Sequence, residues 1–371
     1  MTYAQLEDRT GPRKLLSLDG GGLRGLISLQ ILQRMEALLR EHRKRPDLVL
    51  ADEFDYIAGT STGAIIAAGL ALGKPVDDMI GLYRRLGPVL FEKRMLVMRY
   101  WSKYKDGPLK EALQDEFGAD TTFGDDRLRT LLLCVLHNSS TDSPWPLSNC
   151  TRAKYNDRAR PDCNLDVPLW KVVRASTAAP LFFPPETVTL GPRTFVFQDG
   201  GITPYNNPAF ILYVMATAHP YGLGWAEGAD NMLIVSVGTG ASAATRPGLE
   251  RNDVNVLSNA RHIVSFLMNS ASAEQDRLCR FMGACRFGAA LDREVGDLMN
   301  VERREPARFS YVRYNADISQ GGLDAIGLGN ISSADVRALD AVGSLDELER
   351  IGVAASTDVS LDHFAGFLTA R

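Results

Sequence analysis

No stretch of the 371-residue chain approaches the roughly 20 consecutive apolar residues that a membrane-spanning helix requires. Met1 to Lys14 are polar and of mixed charge, without the apolar run of a secretory signal peptide. Cysteine is scarce. Cys134, Cys150, Cys163, Cys279 and Cys285 are odd in number and widely spread, with no Cys-x-x-Cys pair and no histidine at zinc-finger spacing, so reduced thiols and no metal site are expected. A large charge of either sign is also missing: the formal net charge of -4 gives no general attraction to phosphate polymers, and a nucleic acid polymer is not an expected partner. Internal repeats and low-complexity tracts are absent. With 45% hydrophobic and 23% charged residues, what remains is the composition of an ordinary globular protein, expected to be cytoplasmic and to touch membranes only from outside.

The apolar pattern orders the elements. Leu15 to Leu18 is a short apolar run, broken by glycines, after which Leu26, Ile27, Leu29, Ile31, Leu32, Met35, Leu38 and Leu39 recur at helical spacing. Phe54 to Ala58 leads into a second glycine turn, and Ala64 to Leu72 is apolar all round, as in a helix buried in a core. Two strand-turn-helix units in succession predict an α/β fold, a mainly parallel central sheet flanked by helices. Lys74 to Phe117 reads as mostly helical and Leu131 to Leu136 as a buried strand. The polar, proline-containing connection from His137 to Pro168 is long for a compact domain and is expected to run over the surface. Val172 to Pro185 reads as a small-residue helix ending in an aromatic, proline-stiffened loop, Phe195 to Gln198 as a strand delivering Asp199, and Met232 to Val237 as another buried strand. Residues 12–240 are expected to form a catalytic core. Residues 241–371, read as helices with one alternating segment at Phe309 to Tyr314, are expected to complete the same domain.

Three short elements carry chemistry. Gly59-Thr60-Ser61-Thr62-Gly63 permits a tight strand-to-helix turn that lifts the Ser61 hydroxyl clear of a sheet, with a helix N-terminus behind it. Gly20, Gly21 and Gly22, after Asp19, form a row of backbone N–H groups able to receive a carbonyl oxygen becoming negative. Gly20-x-Gly22-x-x-Gly25 also fits a dinucleotide loop, but the acidic residue expected at the end of a second strand about 20 positions on falls where this chain is still helical. Asp199, between a strand-like run and two glycines, fits either a general base for Ser61 or a turn aspartate.

Together these elements, with Ala175 to Pro184, Asn206-Asn207-Pro208 and Ser236 to Gly240, resemble the patatin-like phospholipase family over about Lys14 to Gly240. The resemblance implies a three-layer patatin-like fold with a helical C-terminal portion. It also implies a Ser61–Asp199 dyad without histidine that cleaves lipid carboxylic esters through an acyl-enzyme, with Gly20, Gly21 and Gly22 as the oxyanion hole and neither metal nor cofactor. Phospholipid or lysophospholipid is the expected substrate. Arg24 would steady the glycine loop, attract a lipid phosphate, or simply be a surface cation.

A triad would need a histidine after Asp199; His219, His262 and His363 are the candidates, and none stands in a glycine-rich strand-end loop. Lys93 to Lys105 mixes bulky apolar groups with five cations, which fits a helix packed in the core or one lying among lipid headgroups. Phe182-Phe183-Pro184-Pro185 is a candidate lining for an acyl pocket. Two further readings stay open: a soluble esterase or thioesterase, and an effector switched on by a signalling nucleotide through residues past Gly240, where a contact between copies of the chain also has room.

Overall fold

The computed structural model describes residues 2–90, 107–180, 182–241, 256–292, 294–299, 302 and 305–368. Lys93 to Lys105 thus lies outside the described residues. The described residues contain nine strands in one sheet: β1 (Arg13–Leu18), β2 (Tyr56–Thr60), β3 (Leu131–Asn138), β4 (Ser143–Ser148), β5 (Glu186–Leu190), β6 (Arg193–Asp199), β7 (Met232–Val237), β8 (Ala284–Phe287) and β9 (Ser310–Tyr314). Their order is β5-β6-β3-β2-β1-β7-β9-β8, with β4 paired to β3 off this path. β3, β2, β1, β7, β9 and β8 run parallel, whereas β4 and β6 meet β3 antiparallel and β5 meets β6 antiparallel. This is the expected α/β architecture, a mainly parallel sheet flanked by helices.

Every residue of β1, β2, β7 and β9 is buried, as in parallel strands covered on both faces. The helices Gly25–Arg43 and Thr62–Ala71 follow β1 and β2, and the second of them is buried along its whole length. No helix among the described residues is long and apolar enough to cross a membrane.

The sheet register fixes the site. Leu18 of β1 faces Gly59 of β2, so Asp19–Gly22 and Ser61 leave neighbouring strands at the same edge. Thr60 faces Val135 of β3, and the next β3 residue, Leu136, faces Asp199 of β6. Residues 61 and 199 therefore stand level across β3, two strand spacings or roughly 10 Å apart in backbone, a gap that their side chains close.

Two expectations are corrected. The His137–Pro168 connection is no mere surface excursion: β4 pairs with β3 through Ser143–Ser148, and Cys150, Asn149, Asn156 and Cys163 are buried. Pro144 and Pro146 suggested a loop, but proline is tolerated in a strand that needs only one partner. Past residue 241 the alternating segment is the strand β9, but β8 lies where helix was expected and joins the sheet beside β9. Arg313, the cation of that alternating segment, is buried, because a carboxylate pairs with it inside.

Candidate active site

Ser61 sits between β2 and the helix Thr62–Ala71 with φ 54° and ψ -122°, a conformation that costs a non-glycine residue about 1–3 kcal/mol. The neighbouring glycines make the turn possible. A Cβ on Gly63 would lie 2.3 Å from the Leu18 carbonyl oxygen, and one on Gly59 would lie 2.1 Å from the Gly63 carbonyl oxygen. The Ser61 backbone N–H donates to Ser176 Oγ at 3.0 Å, and Ser176 Oγ donates to the Val135 carbonyl at 2.7 Å. The elbow is thus tied to β3 through a serine of the helix Leu169–Ser176.

Ser61 Oγ donates to Asp199 Oδ2 at 2.6 Å, and the other carboxylate oxygen accepts from the Gly201 N–H at 2.7 Å. Burial raises the Asp199 carboxyl to about 6, against the pull of the Ser61 hydroxyl, the Gly201 amide and the Arg174 cation. Arg174 is itself buried, donates to the Pro184 carbonyl at 3.0 Å and lies over the Phe183 ring. It links the charge of the site to the aromatic loop.

In the glycine loop, the Gly20 N–H donates to the Asn206 carbonyl at 3.0 Å, and the Leu23 N–H to the Leu339 carbonyl at 2.9 Å. Between them the Gly21 and Gly22 N–H groups have no partner among the described residues. The structure therefore leaves two amides of the expected three available, since Gly20 is anchored. Thr239 Oγ1 and Asn206 Nδ2 both donate to the Gly20 carbonyl, at 2.9 and 3.4 Å. Gly22 has φ +62°, and a Cβ there would lie 2.2 Å from the Leu339 carbonyl oxygen. Arg24 is buried rather than a surface cation, and its Nε donates to the Gly21 carbonyl at 3.3 Å. Burial, with Arg337 nearby, lowers its guanidinium to about 10.

Ser61, Asp199 and Gly22 open onto one cavity whose walls are apolar: Ile65, Leu82, Leu86, Phe182, Phe183 and Leu339 are among them. Phe182 and Phe183 thus line the cavity, while Pro184 and Pro185 do not. Among the described residues no histidine hydrogen-bonds to Ser61 or Asp199. His219 is exposed, and His363 is bonded to Tyr314 and stacked on Phe287. His262 falls on the helix Val256–Met282, where its side chain lies outside the described residues.

Sequence reasoning missed Ser176, Arg174 and Arg313 as individual contributors. The first two lie in or beside Ala175 to Pro184, a stretch singled out for its resemblance. Arg313 carried no local signal.

Residues 16–213 match a family model described as patatin-like phospholipase. A cGAMP-activated phospholipase of Escherichia coli (strain TW11681) is 32% identical over 205 residues, covering 53% of this chain and 54% of that protein. The 85/88 kDa calcium-independent phospholipase A2 of Rattus norvegicus is 32% identical over 62% of this chain and 27% of its own length. Patatin-15 of Solanum tuberosum is 30% identical over 65% of this chain and 63% of its own. The chain spans less than two thirds of each of these relatives.

Proposed function

Because the chain belongs to the patatin-like phospholipase family, we propose that it is a lipid acyl hydrolase working through Ser61 and Asp199. The observation that carries this reading is the 2.6 Å hydrogen bond from Ser61 Oγ to Asp199 Oδ2 at the mouth of an apolar cavity. Ser61 Oγ attacks the ester carbonyl carbon while its proton passes to Asp199. The carbonyl oxygen becomes an oxyanion facing the Gly21 and Gly22 amides, with the positive end of the helix Thr62–Ala71 behind. Collapse expels the alcohol, which takes the proton from Asp199, and leaves an acyl-enzyme. Water, giving its proton to Asp199, then releases the fatty acid and restores the Ser61 hydroxyl. No step uses a metal ion.

Phospholipid or lysophospholipid is the substrate, since an apolar cavity takes the acyl chain, and the enzyme works as a cytoplasmic protein meeting membranes peripherally. Arg24 steadies the glycine loop rather than a lipid phosphate. Residues past 240 complete the catalytic domain, because β9 and β8 extend the same sheet. A fluorophosphonate probe together with phospholipid vesicles tests the proposal. Wild type is labelled at Ser61 and releases fatty acid, and Ser61→Ala does neither; labelling without vesicle hydrolysis, but with turnover of short nitrophenyl esters, would make it a soluble esterase.

A second reading is favoured by one observation: relatives from Escherichia coli and Vibrio cholerae are cGAMP-activated phospholipases. Here the same site would stay slow until a cyclic dinucleotide bound. Vesicle hydrolysis measured with and without cGAMP separates the two readings.

A further inference from the structure

Next to the glycine loop lies a polar chamber lined by Asp19, Asn206, Thr239, Ser272, Asp276 and Arg313, among others. Two ion pairs line it: Asp276 binds Arg280 through two hydrogen bonds of 2.9 Å, and Asp19 binds Arg313. The second pair is the one that touches the loop.

Arg313 lies on β9, well beyond residue 213 where the family match ends. Its Nη1 donates to Asp19 Oδ1 at 2.8 Å and its Nη2 to Asp19 Oδ2 at 2.6 Å, and both side chains are 4% exposed. The sheet register brings them together, since Ser17 of β1 faces Ser236 of β7 and Ser236 faces Arg313. Nη1 also donates to Ser236 Oγ at 2.7 Å. Burial opposes both charges, raising the Asp19 carboxyl and working against the guanidinium, but on Arg313 the pairing wins and holds it above its ordinary range. The two short parallel bonds are those of an ion pair.

A buried ion pair of this kind contributes little net stability compared with apolar residues of the same volume, because desolvation offsets the attraction. What it supplies is geometry: a planar fork on a carboxylate fixes both distance and angle. Asp19 is the residue immediately before Gly20, and its backbone N–H is already held by the Val237 carbonyl at 3.1 Å. With Gly20 bound at its N–H and at its carbonyl, the carboxylate is the remaining handle on the start of the loop.

We propose that Arg313 is a positioning residue for ester hydrolysis, holding Asp19 so that the Gly21 and Gly22 amides face the oxyanion formed at Ser61. This rests on the acyl hydrolase reading above. It makes a cation of the C-terminal portion part of the support for the reaction, and it assigns Asp19 a structural partner in place of a substrate.

The test is Arg313→Ala in the full chain, assayed on phospholipid vesicles with and without millimolar methylguanidinium. The chamber gives such a cation a route to Asp19. The expected result is a fall in kcat of about a hundredfold, the effect of displacing an oxyanion donor, with KM nearly unchanged and methylguanidinium, but not methylammonium, restoring turnover. Arg313→Lys should fall between the two, since it keeps the charge and loses the fork. A folded Arg313→Ala with wild-type kcat would overturn the proposal, as would a loss that methylguanidinium does not restore. If Arg313→Ala does not fold, Asp19→Asn decides: reduced kcat with unchanged KM supports the positioning role, and wild-type kcat overturns it. Fluorophosphonate labelling of wild-type Ser61 is read alongside. Its failure refutes the hydrolase itself, whereas successful labelling with an unaffected Arg313→Ala refutes the positioning role alone.

Discussion

Ser61 donates its hydroxyl hydrogen to Asp199 across β3, although 138 positions separate the two along the chain. The bond exists because three strands share a register: Thr60 stands opposite Val135, and the following residue of β3 stands opposite Asp199. Each strand end contributes one half of a hydrogen-bonded pair, and both residues are buried beside the apolar cavity.

With Asp199 as the proposed base, its protonation sets the expected pH dependence of turnover. A base must be ionised to accept the Ser61 proton, and burial raises this carboxyl to about 6. The value of kcat/KM should therefore rise with pH through an inflection near 6 and stay level above it. An inflection near the ordinary carboxylate value would contradict the burial argument.

The same shift predicts a stability effect of opposite utility. A carboxyl raised in the folded state favours folding while protonated, and that contribution is lost as pH rises through about 6. Asp199→Asn cannot ionise, so its stability relative to wild type should grow with pH. The gain should approach roughly 3 kcal/mol above neutrality and vanish below about pH 4. Urea unfolding of both proteins at the two ends of this range measures it, and turnover of the variant should be lost throughout.

Ser176→Ala removes the acceptor of the Ser61 N–H and a donor to Val135. Leaving these buried groups unsatisfied should cost about 1–3 kcal/mol. Because one of them belongs to the elbow itself, kcat should fall as well; thermal melts and vesicle assays on the same preparation test both effects.

At Gly22 an alanine meets a left-handed φ of +62° and a carbonyl oxygen 2.2 Å from its Cβ. Gly22→Ala should displace the loop and abolish turnover, with the protein still folded, since the residue ends a surface of the cavity and not the core. Circular dichroism with fluorophosphonate labelling would reveal a contrary result, namely normal labelling.

Leu86 lines the apolar cavity at a partly buried position. Leu86→Trp should shorten the space available to an acyl chain, lowering kcat/KM for long-chain substrates by roughly tenfold while sparing short esters. Equal losses on both would place the acyl chain elsewhere.

Much of this site was legible in the sequence because its backbone demands glycine. Gly59, Gly63 and Gly22 stand where any Cβ would collide with a carbonyl oxygen, so the residue type itself reports the geometry. The parallel strands β3 and β7 were legible for a similar reason, since burial on both faces leaves a near-continuous apolar run. Interactions between distant residues left no such mark. Arg313 in β9 mimics the polar phase of a half-exposed strand, and nothing near it announces a carboxylate 294 positions away. In β4 the prolines outweighed Trp145 and Leu147, although an edge strand accommodates them. The Gly20 amide was counted with its neighbours because only the fold shows that the Asn206 carbonyl takes it.

The late arrival of Arg313 has a consequence for synthesis. During translation Ser61, Asp199 and the glycines around them leave the ribosome while the cation that pairs with Asp19 has yet to be made. On the proposed reading, a chain halted before β9 would carry the whole dyad and still lack the partner of Asp19, so turnover would wait for the last strand of the sheet to be made.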